Sequence, residues 1–154
     1  MVDCTLTQGV AMIIPNTTEL RIVGVYDRGV PNQERIVLKV NELLNLAQYG
    51  ILIAFQINPE CPATPYNDQF IWLTERIIEE GTVIFIYTGP GEFRETAVLG
   101  TDIPALVMHW GKEYTIFANS NVVPILCRID AVHIAASPSN LPQSEDKLEI
   151  ISNE

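Results

Sequence analysis

At 154 residues the chain has the length of one ordinary domain. That is enough to bury roughly two thirds of the surface its unfolded form exposes, so it needs neither a metal nor a disulfide to fold. Nineteen acidic residues against nine basic ones leave a net charge of −10, a field of the wrong sign for a phosphate backbone, which argues against nucleic-acid binding. Charged residues make up only 18% of the chain, below an average of about 25%, so polar cover is thin and some apolar surface is expected to face a partner or a second copy.

In chain order, the first forty residues alternate short β-rich runs (10–14, 20–26 and 35–40) with turn clusters at 15–18 and 27–32, the pattern of a hairpin or small meander. The surplus of Arg21, Arg28, Arg35 and Lys39 over Asp27 and Glu34 in this region reads as solvated strand faces. Asn41 is suited to cap a short helix over 41–49, with Glu42 in its first turn and Gly50 ending it in a left-handed conformation.

Residues 51–55, Ile-Leu-Ile-Ala-Phe, form an unbroken apolar run, the pattern of a strand covered on both faces. After a proline-rich loop, Thr64 or Asn67 is placed to cap a helix running to Glu80, which Gly81 ends before a second apolar run at 83–87. Strand, helix and strand over about thirty residues predict a βαβ unit with parallel strands and a right-handed crossover.

On the predicted helix, Tyr66, Phe70, Leu73 and Ile77 share a stripe, and Trp72 points away from it beside Glu75, Arg76 and Glu79 as a candidate interface anchor. From residue 93 onward short strands recur about every ten residues, at 93–99, 105–110, 113–118, 122–129 and 131–136, as in antiparallel hairpins. Gly111-Lys112 suits a turn with positive φ at its first position, and Pro124 pushes its strand toward an edge. The predicted fold is therefore a single mixed α/β to α+β domain over residues 1–136. It has a central βαβ unit at 51–87, two helices and an antiparallel C-terminal half, followed by an acidic flexible tail at 137–154.

Chemistry-bearing motifs are sparse. Cys4, Cys61 and Cys127 are widely spaced and odd in number, which points to a reducing, cytoplasmic setting rather than a disulfide framework or a zinc site. No N-terminal signal pattern or uninterrupted membrane-length run is present in the sequence. Gly89-Pro90-Gly91-Glu92 lacks the lysine of a phosphate loop, and His109 and His133 stand alone in apolar strand patterns. No cofactor and no metal is expected.

If strands 51–57 and 83–87 are parallel, the loops after them leave one sheet edge together. Asn58, Glu60, Cys61, Gly89, Gly91 and Glu92 then form the candidate ligand site, suited to a small polar ligand. The reading preferred from sequence is a non-enzymatic binding or accessory protein, forming a homodimer or engaging a protein partner. The alternative is a small hydrolase or thiol-dependent transferase working in that cleft with Cys61 or the two acids.

Overall fold

The computed structural model describes residues 14–137 and residue 151. Among these residues the backbone forms ten strands and one 3-10 turn, with no α-helix. The strands are β1 (Leu20–Tyr26), β2 (Arg35–Val40), β3 (Leu44–Asn45), β4 (Tyr49–Phe55), β5 (Thr64–Trp72), β6 (Ile77–Ile78), β7 (Val83–Tyr87), β8 (Arg94–Ala97), β9 (Pro104–His109) and β10 (Val122–Arg128).

The α/β prediction is thus corrected to an almost wholly β architecture. One sheet has the order β1-β2-β7-β9-β8, a second the order β10-β4-β5, and β3 with β6 makes a two-residue ladder. The segment predicted as a helix over 41–49 is instead β3, a 3-10 turn over Leu46–Gln48 and the start of β4. Asn45 rather than Asn41 caps that turn, its side chain accepting from the Ala47 amide. The segment predicted as a helix to Glu80 is β5 and β6. Tyr, Phe, Ile and Trp between 66 and 72 fit a pleated, half-covered surface, while Pro65, Asn67 and Asp68 are poor helix residues, so pairing with β4 overrides the helical spacing.

The βαβ unit fails for the same reason. Its two strands lie in different sheets, β4 between β10 and β5, β7 between β2 and β9. Their unbroken apolar runs reflect central positions, with Ile51, Ile53, Ile84 and Ile86 fully buried. The parallel pair does exist, but between β7 and β9, with Val83 opposite Ala105 and Tyr87 opposite His109. The chain passes from β7 to the outer strand β8 and returns antiparallel beside it as β9.

Other expectations match the backbone. Residues 20–26 and 35–40 pair as an antiparallel hairpin from Leu20–Val40 to Tyr26–Arg35, across a turn with positive φ at Asp27, Gly29 and Asn32. Gly111 has the expected positive φ, +83, although no strand follows it to make the expected hairpin turn, and β10, carrying Pro124, lies at an edge of its sheet. The expected strands at 113–118 and 131–136 are irregular chain. The run at 10–14, apart from Ile14, and the tail, apart from Ser137 and Ile151, lie outside the described residues.

The two larger sheets each give one face to a single core. Leu20, Ile36, Leu38, Ile84, Ile86 and Met108 come from the first, Ile51, Ile53 and Val122 from the second, with Leu44, Leu46 and Ile78 added by the small ladder and its neighbouring turn. The result is a β-sandwich in which Ile36 and Leu38, Ile51 and Ile53, and Ile84 and Ile86 alternate inward along the central strands β2, β4 and β7.

Candidate functional site

The outer strand of the three-stranded sheet carries the most exposed aromatic surface attached to a regular element. Ile71 and Leu73 turn toward the core, which sends Phe70 and Trp72 to the opposite face, where they are 44% and 52% exposed. Trp72 is fixed by its indole N–H, which donates to the Ala47 carbonyl at 2.5 Å. Phe70 lies across Gly50 of β4. A Cβ at that glycine would stand 2.3 Å from the ring, so Gly50 serves as a seat for the ring and not as the helix terminator expected from sequence.

Between Pro65 and Phe70 the register breaks. Residues 66–69 have only Ile53 facing them across the pair, so Tyr66, Asn67 and Asp68 stand out into solvent. β5 pairs with β4 on one side alone and its other edge has no strand partner among the described residues.

On the five-stranded sheet, direct cross-strand pairing places Tyr26, Arg35, Tyr87 and His109 in one row across β1, β2, β7 and β9. The Arg35 guanidinium lies 5.6 Å from the Tyr26 ring and 5.8 Å from the Tyr87 ring, with a 2.6 Å ion pair to Asp27. The His109 ring stacks on Tyr87 at 5.3 Å, and its Nδ1 is buried without a hydrogen-bond partner. Gly91 closes over that ring so tightly that a Cβ there would come within 2.2 Å of it.

Glu34, read from sequence as part of a solvated strand face, instead holds this end of the molecule together. It is fully buried. Its Oε1 accepts from Thr88 Oγ1 at 2.9 Å and the Ile116 amide at 2.7 Å, while Oε2 accepts from the Gly29 amide at 2.6 Å and the Phe117 amide at 3.0 Å. One carboxylate thus ties together the β1–β2 turn, the end of β7 and the chain before β10. Arg28 adds a second tie, donating to the Val122 carbonyl at 2.8 Å with its guanidinium over Phe117.

A third polar group surrounds Glu19 in a cavity of about 650 Å³ that Glu42, Tyr49, Arg128 and Asp130 also line. Glu19 accepts from the Tyr49 hydroxyl at 2.6 Å and from Arg128 at 3.0 Å. The Tyr49 bond first, then backbone amides and Arg128, lower its carboxyl to about 2 against the opposing effect of burial. Burial, reinforced by the Glu19 charge, pushes the Tyr49 hydroxyl well above its ordinary range. Among the described residues no group of three or more His, Cys, Asp and Glu side chains is placed to hold a metal ion.

The six site residues expected from sequence fall in two places. Asn58, Glu60 and Cys61 lie in the β4–β5 connection, where the Asn58 side chain accepts from the Glu60 amide and its carbonyl from the Cys61 amide. Gly89, Gly91 and Glu92 follow β7 in the other sheet, beside Asn32 and His109. Because β4 and β7 do not share a sheet, the edge argument that joined these loops does not apply to them. It applies to β7 and β9, whose following loops do meet, the Gly111 amide donating to the Gly89 carbonyl and Lys112 to Thr88. Cys61 is disulfide-bonded, contrary to the expectation from cysteine spacing, whereas Cys127 is a free thiol whose pKa burial raises.

No protein-family model matches the chain, and neither curated proteins nor solved structures give a match. Among the described residues no helix is long and apolar enough to cross a membrane.

Proposed function

We propose that this chain is a binding protein that engages an extended segment of a partner along the free edge of β5. The observation that carries the reading is a nine-residue strand at a sheet edge that exposes Tyr66, Phe70 and Trp72. An unpaired edge offers backbone groups to a further strand, and neighbouring aromatics supply the apolar contacts that make such pairing selective. With Asp68 on the strand and ten net negative charges overall, the fitting segment alternates apolar with basic side chains.

A second reading shares this edge. Thin polar cover and the exposed aromatics favour closure of two copies into an antiparallel pair. Salt separates the two, because it weakens attraction to a basic segment and relieves repulsion between two acidic copies.

The test is fluorescence anisotropy with labelled extended peptides of alternating Val/Ile and Lys/Arg, alongside light scattering across a salt series. Binding that falls with salt and is lost in a Phe70→Ala/Trp72→Ala variant of unchanged melting temperature supports the proposal. Peptide binding that ignores both substitutions removes it, and association that strengthens with salt and depends on them assigns the edge to a dimer.

A further inference from the structure

A cavity of about 940 Å³ runs along β10 and meets the cavity around Glu19 at Arg128 and Asp130, which line both. Its volume lies within the range of roughly 300–1,000 Å³ usual for small-molecule sites. One end is apolar. Ile125 stands directly opposite Leu52 of β4, so the two side chains share a face of the sheet, and Pro65 stands opposite Ala54, two residues further along β4. Leu52, Pro65, Pro124 and Ile125 all line the cavity.

The other end is polar. Four residue steps along β10, about 13 Å at the usual strand rise, lead from Pro124 to Arg128. Glu19 pairs with Arg128, which brings Arg21, two residues along the chain, to the same end. Arg21 and Arg128 against Asp130 leave the lining with a surplus of one positive charge, the reverse of a chain whose net charge is −10. Arg128 is engaged by Glu19, whereas Arg21 has no ion-pair partner among the described residues.

We propose that this cavity binds a single-chain amphiphile, a medium-length alkyl or acyl chain ending in one carboxylate, with the chain between Leu52 and Pro124 and the carboxylate at Arg21. Three of the lining residues, Pro15, Pro65 and Pro124, have no amide to donate. The walls therefore offer contact area without a hydrogen-bond ladder, which suits an alkyl chain and not an extended peptide. Asp130 beside the two guanidiniums sets the head group at a single negative charge, since a doubly charged head would meet its repulsion. The site does not use the free edge of β5, and it stands or falls independently of peptide binding there.

Methyl NMR titrations with decanoate, decan-1-ol and decyltrimethylammonium, below their micelle-forming concentrations, test both ends of the site. Decanoate is expected to shift the methyl groups of Ile22, Leu52 and Ile125 and to bind about tenfold more tightly than decanol, with decyltrimethylammonium weaker still. Arg21 is exposed, so Arg21→Gln should fold as the parent does, bring decanoate down to the affinity of decanol and leave decanol unchanged. From hexanoate to decanoate each added CH2 should tighten binding by up to about fourfold. Bound decanoate should also slow maleimide labelling of Cys127, whose thiol lines the cavity. Equal affinity for the three probes, or decanoate binding that ignores Arg21→Gln, overturns the carboxylate assignment. Shifts confined to methyl groups elsewhere, or no saturable binding of decanoate, overturn the site itself.

Discussion

Substituting Glu34 probes the tie on which the upper end of the sandwich depends. Each carboxylate oxygen accepts from two donors. In Glu34→Gln an NH2 group replaces one oxygen and faces two of them, so two donors lose their acceptor whichever way the amide turns. Thr88 and Phe117 are buried, so water does not replace the lost acceptors freely. At about 1–3 kcal/mol for each buried donor left unpaired, the expected loss is about 4 kcal/mol. For a domain of this size that is a fall in melting temperature of roughly 8–16 °C. Thr88→Val removes one bond together with its donor and should cost only about 1 kcal/mol. Urea unfolding followed by tryptophan fluorescence measures both variants. A Glu34→Gln protein within 2 °C of the parent, or one no less stable than Thr88→Val, would refute the reasoning.

The Glu19 carboxyl, lowered from 4.5 to about 2, favours the folded state above the unfolded value, and that contribution is lost as pH falls from about 4.5 toward 2. Unfolding measured across this window should therefore show stability falling with acidification, and Tyr49→Phe, lacking the leading hydrogen bond, should flatten the slope. Gly91→Ala drives a methyl group into the His109 ring and is expected to cost about 1–3 kcal/mol. Pairing it with His109→Ala should recover part of that loss in a double-mutant cycle, and strict additivity would place the clash elsewhere. Gly50→Ala should displace the exposed Phe70 ring with little loss of stability but weaken peptide binding at β5, as anisotropy would show.

What the sequence made legible was local. The β1–β2 hairpin follows from two β-rich runs around a turn whose Asp, Gly and Asn accept positive φ, and Pro124 disclosed its edge strand, while Gly111 disclosed a positive φ but not the hairpin expected around it. Residues 51–55 and 83–87 were readable as buried strands, but a continuous apolar run is common to parallel strands and to central antiparallel ones, so it could not name their neighbours. The stripe of Tyr66, Phe70, Leu73 and Ile77 satisfied a helical period, yet Tyr66 and Phe70 stand in β5, Leu73 follows it and Ile77 begins β6, because pairing with β4 and β3, partners the local pattern does not show, decided the backbone. Trp72 faces outward as expected, from a strand and not a helix. Glu34 meets the Ile116 and Phe117 amides 82 and 83 positions away, which no short-range rule could anticipate.

The order in which strands leave the ribosome gives the pairing of β4 a further meaning. β4 is made early, yet Phe55 waits for Val122 and Tyr49 for Arg128 before its second edge is filled. Until those residues emerge, Ile51, Ile53 and Ala54, fully buried at the end, belong to a strand hydrogen-bonded on one side alone. At elongation rates of about 5–20 residues per second the interval lasts several seconds. An apolar strand with one open edge is exposed to mispairing during that interval, so slowing elongation before residue 122 should lower soluble yield more than slowing it afterwards. A topology closed by the last strand among the described residues thus sets a time of greatest vulnerability for the newly made protein.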